Sequence, residues 1–446
     1  PDNTLNQRAS SVTLERIGIV YEALGDPGSA LMTQQQVMTM REALVARDPG
    51  NTVWARDLSV TYDRIGGLHG GEGDHAGAIG YFEKSRMLRE AIVAIDPSQT
   101  EAQRDLAYTY ERLAMAWDNL GDAESALEFT RRSMEVRRKM VAANPSAPLY
   151  RQDLGFSLMQ MADHLTRRDR RDEAIVVLRE ALDLRAVLSA EYPQASGYLR
   201  ELIIVRYRLA DLLTQTGDLT GAVVAADPGL AESDRLRALD DSYLSRVDRL
   251  NLAFRLGDAR RGAGDLVGAV AAFRAMAEIA YQMSAADPHD RLSAADYALA
   301  LERMGSAQNA LKDHAGARAS LDTALRMRQW LVSQQPDSLQ AARDLYFCLQ
   351  GLADAHYQMA AYDLARPLDQ QGLDLARSLL QRDPENPWAV IDLVTALDRM
   401  TGYAGDNAAY MQESLNLLEG LEAAGALPDP VYRDWMANYR KALGIQ

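Results

Sequence analysis

The sequence predicts an all-α chain, a right-handed superhelical α-solenoid of about nine helical hairpins, and three observations carry that expectation. A dipeptide of an acid and a leucine recurs every 48 residues, at Asp57-Leu58, Asp105-Leu106, Asp153-Leu154, Glu201-Leu202, Asp344-Leu345 and Asp392-Leu393. Asp248 and Asp296 fill the missing places once a single residue is deleted between copies five and six. Within each period, two stretches place apolar residues at steps of three and four, the spacing of one helix face. Finally, alanine, leucine, arginine and glutamate dominate a chain with only 6 Phe and few β-branched runs, a helix-forming composition. At 446 residues a repeat array is favoured over one core, because single compact cores stop growing well below that length.

The unit 98–145 shows how each element arises. Leu106, Tyr110, Leu113 and Trp117 share one face of a first helix, and Ala126, Phe129, Ser133, Val136 and Met140 one face of a second. Between them, "NLGD" supplies a glycine to end the first helix and an aspartate to cap the next, and "NPS" closes the second. Two columns stay small at every period. The first reads Gly18, Gly66, Ala114, Ala162, Ala210, Gly257, Gly305, Ala353 and Thr401; twelve residues later alanine recurs from Ala30 to Ala365. Small side chains there let the paired helices approach closely. The expected repeats are 8–55, 56–103, 104–151, 152–199, 200–247, 248–294, 295–342, 343–390 and 391–428, followed by a capping helix within 429–446.

This pattern resembles the tetratricopeptide repeat, which copy three carries as Leu113, Ala114, Trp117, Gly121 and Ala126 with a closing Pro145. The unit is longer than the family's usual one and is similar to the elongated repeats of kinesin light chains and of large bacterial signalling proteins. The resemblance covers nearly the whole chain and implies a superhelix whose first helices face a concave groove. It implies almost nothing about the ligand.

Charge narrows the function classes. With 48 Lys+Arg against 63 Asp+Glu the formal net charge is −15, which disfavours a phosphate-backbone partner and mildly favours a basic one. No apolar run approaches membrane-spanning length, and Cys348, the only cysteine, excludes an intrachain disulfide framework or a cysteine cluster. The expected compartment is the cytoplasm, with the periplasm left open. Four lysines against forty-four arginines suggest a bacterium of high GC content. The opening "PDNT" aligns with "PGNT" at 49–52, so a further domain or repeats are expected to precede Pro1.

Several columns and one loop offer candidate sites. The stretch "IGGLHGGEGDHAG" at 65–77 offers glycines for a phosphate loop and His69, Glu72 and His75 for a metal. In register, however, Gly73-Asp74 is the turn of copy two, and the glycines are expected to shorten its first helix. Cys348 falls in a small, packed column and reads as a buried structural thiol. No zinc-protease, P-loop or nucleophile-elbow motif occurs, so neither catalysis, metal nor cofactor is expected. The acidic column from Asp57 to Asp392 and the arginine column Arg16, Arg64, Arg112, Arg208, Arg255, Arg303 and Arg399 read as ladders between hairpins.

One column changes in blocks: Glu15, Asp63 and Glu111, then Met159, Tyr207 and Phe254, then Glu302, Gln350 and Asp398. One turn later the middle three units carry Asp163, Asp211 and Asp258. Three apolar anchors beside three carboxylates suit a basic or amphipathic segment; burial against a neighbouring helix is the other reading. "AVVAADPGLAE" adds Pro228 and Gly229 inside a second helix, where a kink or split is expected. The function so read is a non-catalytic interaction scaffold binding a protein or peptide in its groove, the docking or sensing region of a larger bacterial signalling protein, as a monomer or weak dimer. The other class is a small-molecule receptor or enzyme with its site in the groove.

Overall fold

The computed structural model describes residues 3–403 and 407–445, and all regular structure among them is helical. The helices pair in chain order as antiparallel hairpins. The first four are α1 (Thr4–Ala23) with α2 (Pro27–Arg47), α3 (Thr52–Gly71) with α4 (His75–Ile95), α5 (Thr100–Asn119) with α6 (Ala123–Ala143), and α7 (Pro148–Arg167) with α8 (Arg171–Glu191), followed along the chain by α9 (Ser196–Gln215), α10 (Leu219–Ala226) and α11 (Pro228–Leu239). Next come α12 (Tyr243–Gly262) with α13 (Leu266–Ala286), α14 (Arg291–Ala310) with α15 (His314–Gln334), α16 (Leu339–Gln358) with α17 (Tyr362–Arg382), and α18 (Pro387–Thr401) with α19 (Asn407–Ala423). A single helix, α20 (Val431–Leu443), follows. The chain forms two compact units, Pro1–Leu212 and Leu213–Gln446, each a stack of such hairpins.

The small columns work by contact. The recurrent alanines Ala30, Ala78, Ala126, Ala174, Ala222, Ala269, Ala317 and Ala365 are all 0% exposed. In the other column, glycine stands where the facing second helix presents a bulky group: a Cβ on Gly66 would lie 2.6 Å from Phe82, on Gly257 2.4 Å from Phe273 and on Gly305 2.7 Å from Leu321. Alanine stands at Ala114, where the residue sixteen on is the smaller Thr130. The turns use a left-handed residue at Gly25, Gly73, Gly121, Gly217 and Gly264, and hold Asp169, Lys312 and Ala360 there at a steric cost to L-residues. The next aspartate then caps the second helix; Asp74 Oδ1 accepts from the Gly77 amide at 2.9 Å and Asp265 Oδ1 from that of Gly268 at 2.9 Å.

The glycines at 66–73 do not shorten the first helix of copy two: α3 has the same 20 residues as α1, α5 and α7. Close packing of Gly66 on Phe82 and capping by Asp74 hold it to the turn. Pro228, by contrast, does split its helix into α10 and α11, with Asp227 between them ion-paired to Arg260.

Neighbouring hairpins are joined by a buried arginine of the second helix, a column that sequence reading passed over. Arg41 is 2% exposed; it donates to Asp57 O at 2.7 Å and Thr61 Oγ1 at 2.8 Å on the next first helix, and to Glu15 Oε2 at 2.7 Å on its own hairpin. Arg89 repeats this with Asp105 O at 2.6 Å, Thr109 Oγ1 at 2.5 Å and Asp63 at 2.7 Å. Arg137 does so with Asp153 O and Ser157 Oγ, both at 2.7 Å, and Glu111 Oε2 at 2.9 Å. Burial pushes the Glu111 carboxyl up, against the opposing pull of Arg137. Arg328 pairs with Glu302 at 2.8 Å and Asp344 at 2.9 Å. Arg137→Ala should therefore cost about 3–5 kcal/mol, because it strands a buried carboxylate. The double variant Glu111→Phe/Arg137→Ala, which copies the chain's own Phe254 and Ala280, should recover much of that loss in chemical denaturation.

Candidate functional site

The first helices of each unit present one shared face. Along it runs the acid ladder expected from sequence, but with a different set of arginines: where an arginine stands one place before the acidic column, it reaches the aspartate of the next hairpin. Arg8 pairs with Asp57 at 2.7 Å, Arg56 with Asp105 at 2.6 Å, Arg104 with Asp153 at 2.7 Å and Arg343 with Asp392 at 2.6 Å. The arginine column named from sequence makes a second, incomplete ladder. Arg64 bonds Glu15 at 3.2 Å, Arg208 bonds Asp163 at 2.7 Å, Arg303 lies 3.8 Å from Asp258, and Arg399 bonds Asp354 at 2.8 Å.

The residues expected to bind a partner take these places. In the first unit, Met159 and Tyr207 are half-buried, Asp163 is exposed and held by Arg208, and Asp211 is half-buried. In the second unit, Phe254 packs against the core around Phe273 and Met276, with the Arg255 and Arg303 guanidinium carbons 5.0 and 5.8 Å from its ring centre. Asp258 lies 3.3 Å from Arg261. Asp163 and Asp258 therefore meet solvent as neutralised pairs rather than as bare charges. The column itself now has a physical reading. Glu15, Asp63, Glu111 and Glu302 are the counter-ions of Arg41, Arg89, Arg137 and Arg328, twenty-six residues on. For Tyr207 and Phe254 the residue twenty-six on is Ser233 or Ala280 in place of the arginine. Met159 is the exception: Arg185 opposite it turns to Glu201, and burial lowers that guanidinium's pKa.

Exposed aromatic groups lie one turn before the arginine column, on residues that sequence reading left unmarked. Tyr108, Phe156 and Phe347 are 46%, 51% and 48% exposed. Tyr108 and Phe156 line a groove of about 550 Å³ in the first unit, with Arg104 and Gln152 at its side. Phe347 and Leu299 line one of about 1000 Å³ in the second, where Ser306 and Gly351 replace the aspartate and arginine of a rung. The column reads Val12, Val60, Tyr108, Phe156, Ile204, Asn251, Leu299, Phe347 and Thr395, so its apolar bias was visible but looked like an ordinary packed face.

The remaining candidates are accounted for locally. His69 Nδ1 lies 2.8 Å from Asp74 Oδ2 and its ring stacks on Tyr81 at 5.3 Å, while His75 opens α4. Among the described residues no group of three His, Cys, Asp or Glu side chains is placed to hold a metal. Cys348 is 1% exposed beside Leu321 O, and burial pushes its thiol pKa up, which opposes a nucleophilic role. No described helix is long and apolar enough to cross a membrane. The last helix covers the end of the second unit: Met436 and Tyr439 are buried against Val390, Val394 and Leu418, and Tyr439 donates to Asp398 Oδ1 at 2.7 Å.

Neither a family model nor a curated protein matches the sequence. Among solved structures, the chain is similar to BtubC (BKLC) from P. vanneervenii, at 18% identity over 57% of this chain and 91% of that one, with a TM-score of 0.42. It is also similar to the C-terminal part of a TPR repeat-containing protein from Cytophaga hutchinsonii, at 14% identity, 74% and 98% coverage and a TM-score of 0.42. A tetratricopeptide repeat protein from Parabacteroides merdae gives 11% identity, 75% and 98% coverage and a TM-score of 0.41. The chain's own hairpins, with their small and alanine columns and left-handed turn residue, are of the tetratricopeptide type in fold.

Packing and docking residues on this face should separate by stability. Phe254→Ala should cost about 2–3 kcal/mol, somewhat below a fully buried phenylalanine, and Phe156→Ala less than about 1 kcal/mol. Urea titrations of the two variants measure both.

Proposed function

We propose that the chain is a protein-interaction scaffold that holds an amphipathic peptide or protein segment against the face of its first helices. The observation that carries this reading is the pair Tyr108 and Phe156. They are aromatic groups on successive first helices, both about half exposed and both lining one groove, where packing gives no reason for them. Met159 and Asp163 lie on the same face of α7, three and seven residues after Phe156, and are included in the surface, as are Tyr207 and Asp211 on α9. Phe254 and Asp258 belong to the corresponding face of the second unit. Charge on these faces is largely spent in the ladders, so aromatic and apolar contact should supply most of the affinity, and charge the register. The wider setting we propose, the docking region of a larger bacterial signalling protein, rests on the arginine-for-lysine bias and on the elongated-repeat resemblance.

A displayed library of random dodecapeptides tests the reading. The wild-type chain should select peptides with recurring apolar positions. Tyr108→Ser/Phe156→Ser should lose them while its circular dichroism and melting temperature stay nearly unchanged. Equal selection by both chains would remove this face from consideration.

A further inference from the structure

The second ladder has one broken rung that keeps its charge. In three places a first-helix arginine pairs with an aspartate forty-five residues earlier, on the preceding first helix: Arg208 with Asp163, Arg303 with Asp258 and Arg399 with Asp354. For Arg112 the residue at that place is Gly67. Arg64, whose counterpart there is Ile19, takes Glu15 instead; Glu15 is long enough to serve both Arg41 at 2.7 Å and Arg64 at 3.2 Å. The equivalent of Glu15 for Arg112 is Asp63, one methylene shorter, 5% exposed and turned to Arg89 at 2.7 Å. Asp63 feels the charge of Arg112 but forms no ion pair with it. No carboxylate of the described residues pairs with Arg112; its guanidinium lies over two rings, 5.2 Å from the centre of Phe82 and 5.5 Å from that of Tyr108.

The missing side chain leaves room. A Cβ on Gly67 would stand 2.4 Å from Arg112 Nη2, so the guanidinium occupies the space over the bare glycine backbone. Beside it is a cavity of about 200 Å³ bounded by Gly67, Gly70, Gly71, Phe82, Arg112 and Met115. The broken rung therefore combines a partly exposed cation, flat apolar walls and space for one short side chain. It also adjoins Tyr108 of the aromatic groove.

We propose that Arg112 receives a carboxylate from the bound segment, an aspartate or glutamate that completes the rung in trans, with Met115 and Phe82 against its methylenes. The proposal rests on the docking reading above and specifies its chemistry: a segment with an acidic residue near its apolar anchors, despite the chain's net charge of −15. A carboxylate suits the place better than a phosphate, because Arg208, Arg303 and Arg399 each meet a carboxylate at the same place in this ladder and a single guanidinium leaves a dianion undercompensated.

The Gly67→Asp variant supplies the missing carboxylate in cis. It replaces a helix-interior glycine and displaces only the mobile end of Arg112, so its melting temperature should hold or rise. Dodecapeptides selected from the random library by wild type should carry Asp or Glu at a fixed distance from the apolar anchors. In fluorescence anisotropy the corresponding Gln peptide should bind at least about tenfold more weakly, and the difference should shrink at high salt. Gly67→Asp and Arg112→Gln should bind the acidic and Gln peptides equally. Selection without acid enrichment, or an acid preference that survives in Gly67→Asp, overturns this inference and leaves the docking surface standing. Failure of wild type to select any peptide overturns both.

Discussion

The second-helix arginine is the interaction on which the rest of the stack depends. A helical hairpin with only small residues at its centre has few side chains long enough to reach the next hairpin. Arg41, Arg89 and Arg137 reach it from a fully packed position, and the bond they make is to a main-chain carbonyl of the next first helix. That choice of acceptor fixes the position of one backbone against the other, which a contact between two flexible side chains would not. Arginine suits this because its planar fork can serve a carbonyl, a hydroxyl and a carboxylate at once, and because it keeps its proton where a lysine would readily lose it. Burying it demands an anion, and the demand explains the acid on the same hairpin.

The change from acids to Tyr207 and Phe254 follows the loss of the arginine that the acid would serve. The middle of the chain trades a polar joint for an apolar one: Ala280 faces the level of Phe254, and Phe254 joins a core containing Phe273, Met276 and Met283. Arg185 marks the edge of the exchange. It keeps the arginine, lacks its own acid, and takes Glu201 from the next hairpin, one oxygen doing what two carboxyl oxygens and a carbonyl do for Arg137.

Much of this was legible in the sequence because the columns that set the fold are periodic and chemically narrow. Alanine at Ala30 through Ala365, aspartate at the second-helix cap and glycine at the turn each admit few alternatives, so period alone exposes them. The site was less legible for a physical reason. Whether Asp163 is a docking charge or a rung depends on Arg208 forty-five residues later, and helix periodicity reports the face a residue occupies, not what the neighbouring helix brings to it. Tyr108 and Phe156 escaped for the converse reason: their column is apolar like a core column, and only the stack shows that no helix covers it. The buried arginines were missed because arginine in a strongly charged sequence reads as surface. Gly67 looked like part of a flexible turn, although it lies inside a helix that runs its full length.

Repetition also determines where specificity can reside. A ladder in which every arginine meets its aspartate shows a partner little net charge and the same face at every step, so it gives affinity without register. Register needs interruptions. The first unit breaks its ladder at Gly67 and keeps the cation; the second breaks it at Ser306 and Gly351 and keeps neither charge, leaving a wider groove beside Phe347. The two interruptions therefore differ in kind. One presents an arginine at a defined distance from an aromatic ring, the other a wider groove beside Leu299 and Phe347. A segment that satisfied either would be held at one step of an otherwise uniform surface, and that is how a stack of nearly identical hairpins becomes selective without adding any motif of its own.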